Sequence, residues 1–494
     1  MKLFQPKSIQ YLTVLILVGS VFVNRGFSIN NEGTDIVQPD VKERLEKKLT
    51  PIIQKLMDSY DLPGLAIGVV KDDQVVYAQG FGRINIETNE PITTETIFHM
   101  ASISKPFVAT AIMQLVEQGK IDLNAPLIQY LPYFQLADDR YKTITIQQML
   151  CHMSGMPDVE DYEWEKPQYD EGALERYVRS LTGHSLKSEP GEKYAYSNMA
   201  FECLGDVIAK VSGISFADYV KKRILDPSGM KESSFHKPKD LPENWAAPHL
   251  RVFETSVWHG YPYNRMHGPS STLHSNILEM CNWAMINIHQ GTYNNQKILN
   301  ASSYDLLWKP FYKKNEYSST GLSWSLVKYR EFKAVAHAGG DTGFKTNLVI
   351  LPDQSAAVVV LCNINPSPVL PITYATLDLL LGFEPRPIKA PALIQVGRIM
   401  KKEGEKKAVA KWNLLKENHP DQYDFGPGPF FGMIMSVVQS NQIDDARNLA
   451  SLMFEVMPRG IMQGVEAGLR PYFKGDMDNQ ASVAFLDVIR TKMK

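Results

Sequence analysis

The stretch that decides the reading of this chain runs Ile97-Phe-His-Met-Ala-Ser102-Ile-Ser-Lys105-Pro-Phe-Val-Ala-Thr-Ala-Ile-Met-Gln-Leu-Val-Glu-Gln-Gly119. Beyond Ala101, Phe107, Ala111 and Leu115 recur at helical spacing with Val108 and Ile112, and Gly119 is placed to end the helix. Ser102 falls at the N-cap or in the first turn. Ser102 and Lys105 are three apart, so they share a helix face near the positive end of its dipole. A serine hydroxyl is a weak nucleophile until a base takes its proton. A lysine partly removed from water can be neutral and can take it. The pattern alone is common, because Ser-x-x-Lys also begins at Ser228, Ser234 and Ser325. A capping serine beside a solvated lysine gives the same letters. Only Ser102 opens a long apolar helix.

The rest of the chain bounds the answer. At 494 residues it is too long for one small core, and two or three domains are expected. The net charge of -2 gives no electrostatic footprint for nucleic acid. Cys151, Cys203, Cys281 and Cys362 lie far apart in apolar contexts, so buried free thiols are expected and no disulfide framework. No metal or cofactor is expected: H-E-x-x-H and G-x-x-x-x-G-K-[ST] are absent, which leaves metalloprotease and P-loop readings without support, and the absence of G-x-S-x-G argues against an α/β-hydrolase. Lys2 and Lys7 precede an apolar run from Tyr11 to Val23, with Gly26 and Ser28 after it, as in an export signal. The run is short for a membrane span. The mature chain is therefore expected in the periplasm or secreted, without an integral span. The alternative is a membrane anchor through an uncleaved signal.

Strand signals cluster near both ends of a long unit. Leu65 to Lys71 and Gln74 to Gln79 read as a hairpin across Asp72-Asp73. Leu322 to Tyr329, Lys333 to His337, Thr346 to Leu351 and Ala356 to Leu361 read as strands late in the chain. Helical patterns fill the interval, including Ile144 to His152, Met199 to Ser212 and Ile277 to Gln290, and Leu370 to Leu381 follows. This predicts an α+β fold in which an antiparallel sheet, flanked by helices, is built from both chain ends around a helical insertion. Three prolines between Glu384 and Pro391 predict an extended linker. Residues 392–494 are helix-patterned. Ile443-Asp444-Asp445 and Met477-Asp478-Asn479 repeat at an offset of 34 residues, as do Leu449-Ala450 and Val483-Ala484. That offset is the tetratricopeptide period, and a generic helical bundle is the plain alternative.

Two further elements carry chemistry. Tyr196-Ser197-Asn198 stands where a turn around Pro190-Gly191 meets a helix. A tyrosine hydroxyl near an ammonium has its ionised form favoured and can shuttle a proton. Asn198 can hold a substrate amide and hydrogen-bond the lysine. His337-Ala338-Gly339-Gly340 ends a strand, where glycines admit a substrate to the backbone. A backbone N–H beyond Gly339 can pair with that of Ser102 as an oxyanion hole. The loops around Trp164 and Trp258 are placed as candidate selectivity loops, with ordinary loop packing as the alternative.

The order Ser102-x-x-Lys105, Tyr196-x-Asn198, His337-x-Gly339 resembles the serine β-lactamase-like family of class C β-lactamases, D,D-peptidases, esterases and D-aminopeptidases. The resemblance extends over residues 45 to 384 and includes Cys151-His152-Met153-Ser154-Gly155. It implies that Ser102 is acylated, Lys105 activates it and Tyr196 shuttles the proton. It implies substrate contacts by Asn198, His337 and Gly339, and an oxyanion hole from the N–H groups of Ser102 and Gly340. Class C enzymes carry Lys-Thr-Gly as the third motif, whereas this chain has His-Ala-Gly. A mostly neutral histidine replaces a fixed cation, which argues against efficient β-lactam turnover. Lys345-Thr346-Asn347 lacks the glycine and begins another strand.

The organisation expected is a signal peptide over 1–28, a β-lactamase-like serine hydrolase domain over 31–384, a linker over 385–391 and a helical, tetratricopeptide-like domain over 392–494. The expected activity is hydrolysis, through an acyl-enzyme, of esters or amides of small or D-amino-acid-containing substrates. A β-lactamase or D,D-carboxypeptidase acting on cell-wall peptides is one alternative. A non-catalytic binding or sensing protein is another. The helical region is the candidate surface for a protein partner.

Overall fold

The computed structural model describes residues 41–462 and 480–493. The signal peptide reading therefore lies outside the described residues. So do Met477-Asp478-Asn479 of the 34-residue offset.

Eight strands form the main sheet: β1 (Gly64–Lys71), β2 (Gln74–Gly82), β3 (Tyr312–Lys313), β4 (Ser318–Thr320), β5 (Ser325–Tyr329), β6 (Phe332–Asp341), β7 (Phe344–Leu351) and β8 (Ala356–Cys362). Their order is β2-β1-β8-β7-β6-β5-β4-β3, with every neighbouring pair antiparallel. The expected α+β architecture is what the chain adopts. The first hairpin, β1–β2, meets the last strand, β8, and helices fill the interval between β2 and β3.

The central strands read as continuous apolar runs because both faces of the sheet are covered. Leu65, Ile67, Val69, Val358 and Val360 pack with Leu45, Leu49 and Ile53 of the helix Val41–Ser59 and with Ile372 and Leu377 of the helix Val369–Leu380. Ala66, Val70, Ala357, Val359 and Leu361 face the other way, into the core shared with Ile277–Ile288 and Ser104–Glu117. Side chains alternate across a strand, so one short run can serve two cores.

One strand differs from expectation in a way that matters. The strand expected to stop at His337 continues as β6 to Asp341, so Gly339 and Gly340 are ladder residues paired with Thr346 and Lys345. Glycine has low strand propensity, and here pairing with β7 overrides it.

Beyond Val369–Leu380 the segment expected to be an extended linker makes specific contacts. Tyr60 donates its hydroxyl to the Lys389 carbonyl (2.9 Å), and Ala390–Pro391 pairs in parallel with Tyr423–Asp424. The helices Ala392–Glu403, Glu405–Asn418, Gly428–Ser440, Ile443–Val456 and Gln480–Met493 then share one core. Leu449-Ala450 and Val483-Ala484 fall on the two last named, which pack together. Val252 and Phe253, from the helical insertion, are buried in this same core. All four cysteines are free and buried. No helix among the described residues is long and apolar enough to cross a membrane.

Candidate active site

The turn that carries Ser102 is fixed before its helix begins. Ala101–Ile103 forms one tight turn and Ser104–Glu117 continues it as an α-helix. Ala101 adopts a φ of 50°, a conformation that surrounding bonds must hold. Ser104 Oγ donates to the Ala101 carbonyl (2.7 Å) and accepts from the Leu273 N–H (2.9 Å). Thr346 Oγ1, from β7, donates to the Met100 carbonyl (2.9 Å). The turn is thereby fastened to the sheet.

Ser102 Oγ sits between two donors. Lys105 Nζ and the Tyr196 hydroxyl each lie 2.9 Å from it. Lys105 is fully buried, and its ammonium also donates to the Ser270 carbonyl (2.7 Å) and lies 5.0 Å from the centroid of the Tyr196 ring. Burial pushes Lys105 down to about 7, against the carboxylates of Glu202, Asp158 and Asp341, which pull it up. Tyr196 moves the other way: burial drives its hydroxyl well above the usual phenol range despite the Ser102 bond. The expectation of a tyrosine ionised beside an ammonium is corrected here. Desolvation outweighs the neighbouring charge, so the phenol keeps its proton and Lys105 is the group that titrates near neutrality.

Tyr196 is aimed by its neighbours. Ser197 caps the helix Asn198–Ser212, accepting from the Ala200 N–H (3.1 Å) and donating to the Pro157 carbonyl (2.6 Å). The His152 ring stacks on Tyr196 at 4.2 Å, and its Nδ1 accepts from the Ser197 N–H (3.2 Å). Asn198 does not bond Lys105 as expected. Its Nδ2 and backbone N–H both donate to Asp158 Oδ1, at 2.9 and 2.7 Å. Of the acidic loop 157–170, Asp158 is the residue that joins the site.

The third motif closes the front. Gly339 allows β6 to lie on the Ser102 turn, since a Cβ there would meet Thr346 Oγ1 at 2.2 Å and the Met100 carbonyl at 2.3 Å. Asp341 and Phe344 flank the two-residue turn Thr342-Gly343. Hydrogen-bonded and open pairs alternate along an antiparallel ladder, so the Gly340 N–H faces away from β7. It faces the edge of β6 left free past Ala336, the last residue paired with β5. His337 is buried, with Nδ1 2.9 Å from the Ala338 carbonyl, and burial together with the Lys105 charge holds it down at about 3. A neutral histidine was expected, and it is neutral here for those two reasons.

The structure thus brings Ser102, Lys105, Tyr196, Asn198, His337, Gly339 and Gly340 to one place. Sequence reasoning missed what stands behind them. Glu202 is fully buried and accepts from Ser270 Oγ, the Ser270 N–H (3.3 Å) and His267 Nδ1 (3.3 Å). Ser270 in turn offers its carbonyl to Lys105. A buried Glu in an otherwise apolar helix, within Phe201-Glu202-Cys203-Leu204, was the available signal. Asp341 accepts from His99 Nε2 (3.0 Å) and Ser271 Oγ. Trp164 stacks on Tyr162 at 4.6 Å and stands edge-on to His267, so its loop covers the Glu202 side. Trp258 folds over Gly260.

A family model described as Beta-lactamase matches residues 49–382. The chain is 25% identical over 324 residues to Protein flp of Staphylococcus aureus (strain N315), which covers 65% of this chain and 63% of that protein. It thus spans a little under two thirds of that relative's length. It is 26% identical over 347 residues to Penicillin-binding protein 4* of Bacillus subtilis (strain 168), covering 65% of this chain and 73% of the relative. Among solved structures, the octameric penicillin-binding protein homologue from Pyrococcus abyssi matches with a TM-score of 0.60 and 28% identity, over 72% of this chain and 82% of that one. EstCE1, a hydrolase with promiscuous acyltransferase activity, shares the fold with a TM-score of 0.56 and 19% identity, over 65% of this chain and 94% of its own. With the family model spanning well over half of its length, the chain belongs to the Beta-lactamase family.

Proposed function

We propose that this protein is a secreted serine hydrolase that forms an acyl-enzyme on Ser102 and cleaves esters or amides of small or D-amino-acid-containing substrates. The observation that carries this reading is the placement of Lys105 Nζ and the Tyr196 hydroxyl at 2.9 Å from one serine oxygen. With Lys105 poised at about 7, a large share of it is neutral at physiological pH and has a lone pair for the serine proton. As Ser102 Oγ bonds the substrate carbonyl carbon, its proton passes to Lys105. The oxyanion forms between the N–H groups of Ser102 and Gly340. The bond to the leaving group breaks as that group takes the Tyr196 proton, which the Lys105 ammonium replaces. Water then attacks the acyl carbon, gives one proton to the same pair, and releases the acid while Ser102 regains its hydrogen. Asn198, His337 and Gly339 line the carbonyl and backbone side of this path. The neutral His337 favours esterase or D-aminopeptidase chemistry over β-lactam hydrolysis. Export rests on the sequence of residues 2–28, and a partner role for residues 392–494 remains a proposal.

The test is intact-mass analysis after a fluorophosphonate probe, with peptide mapping, beside turnover of p-nitrophenyl acetate. One adduct on Ser102, with turnover lost in Ser102→Ala at unchanged circular dichroism, is expected. No adduct on folded protein, or more than a tenth of wild-type activity in Ser102→Ala, would overturn it.

A further inference from the structure

The mouth of the site holds a cation with no counter-charge among the described residues. Lys314 follows β3, and its Nζ lies 4.2 Å from the centroid of the Tyr194 ring. Tyr194 stands edge-on to His152 at 5.7 Å, and His152 is stacked on Tyr196, whose hydroxyl touches Ser102. Lys314, Tyr194, Tyr196 and Ser102 are all half-buried, whereas Lys105 is sealed. The two lysines also differ in company. Glu202, Asp158 and Asp341 act on Lys105, but no carboxylate among the described residues pairs with Lys314, and burial alone moves it down, to about 8. Its charge reaches the site all the same: it helps to hold both His152 and His337 neutral. A half-buried ammonium has given up hydration, and its contact with the Tyr194 face replaces only part of that. An anion arriving from solvent would complete its shell.

We propose that Lys314, seated on Tyr194, is a specificity residue that binds a carboxylate carried by the substrate. The proposal rests on the serine hydrolase reading and narrows its substrate class to anionic esters or amides. Lys314 lies outside all three catalytic motifs, on the β3–β4 side of the mouth, where it supplies a charge that the neutral His337 lacks.

The carboxylate can belong to the acyl part or to the leaving part, and two ester pairs separate these. Mono-p-nitrophenyl adipate is compared with p-nitrophenyl hexanoate, and 4-acetoxybenzoate with its methyl ester. Wild type is expected to favour the charged member of one pair in kcat/KM. That charged-to-neutral ratio should fall about tenfold in Lys314→Met and largely return in Lys314→Arg, mainly through KM. A merely structural lysine would lower both members alike. A ratio near one in wild type for both pairs, or a ratio untouched by Lys314→Met, would overturn the proposal.

A second measurement needs no turnover. Calorimetric titration of Ser102→Ala with monomethyl adipate and with 4-acetoxybenzoate should show that binding of one of them weakens about tenfold on adding Lys314→Met. Equal binding of each ligand by both proteins would overturn the proposal. Loss of ester turnover with this difference intact would instead remove only the hydrolase reading.

Discussion

The wall behind Ser102 and the wall in front of it are built on opposite terms. Behind it, Lys105, Glu202, Ser270 and His267 are fully buried, and each has a polar partner at hydrogen-bond distance. In front, Tyr194 and Lys314 are half-open and no carboxylate among the described residues pairs with Lys314. A buried charge without a partner is costly, so the rear wall has to be complete before any substrate arrives. The front wall can stay incomplete because water covers it until a substrate does. The contrast sets two environments side by side in one site: the buried rear sets the Lys105 titration, and the half-open front holds the group proposed to choose what is acylated.

The contrast can be broken most severely from behind. Lys105→Met keeps the volume but removes the base, and kcat/KM for a small neutral ester should drop about 10³-fold. Labelling kinetics with a fluorophosphonate would check this, and a loss under tenfold would mean that another group takes the serine proton.

A smaller effect sharpens the role of Glu202. In wild type, kcat/KM should rise with pH through about 7, because only neutral Lys105 accepts a proton. The Glu202 charge raises the Lys105 value, so Glu202→Gln should move this rising limb to lower pH. Its plateau should fall about tenfold from the loosened Ser270 carbonyl. Groups that share the pocket are Asp158 and Asp341 as carboxylates, Tyr196 as a phenol, and His152 and His337 as imidazoles held neutral. A limb that stays in place would show that Glu202 acts only in packing.

The smallest effect belongs to the front. His337 is held at about 3, so it stays neutral across the working range. His337→Asn should therefore leave the shape of the pH profile between 5 and 9 unmoved, whatever happens to its height. A limb that disappears in this variant would mean that His337 carries a proton during the reaction and that the front wall is part of the machinery after all.

Ser102, Lys105, Tyr196 and His337 were readable as site candidates because each sits in a short local pattern: the first two one helical turn apart, Tyr196 before a capped helix, and His337 before two glycines. The sheet was readable because two clusters of apolar runs flanked a helical interval. The end of β6 was misjudged, since glycine propensity argues against a strand and only pairing with Thr346 and Lys345 decides for one. Asn198 was read with a lysine partner, and the structure gives it Asp158.

The sequence by itself thus determined the family, the α+β architecture and the candidate nucleophile, because those depend on spacing along the chain. Only the tertiary structure decided which group holds the proton at rest. That depends on burial and on three carboxylates, Glu202, Asp158 and Asp341, converging on Lys105 from separate parts of the chain. It also decided that Lys314 stands at the mouth with no carboxylate partner among the described residues, since the absence of a counter-charge is a property of space and leaves no mark in a linear pattern.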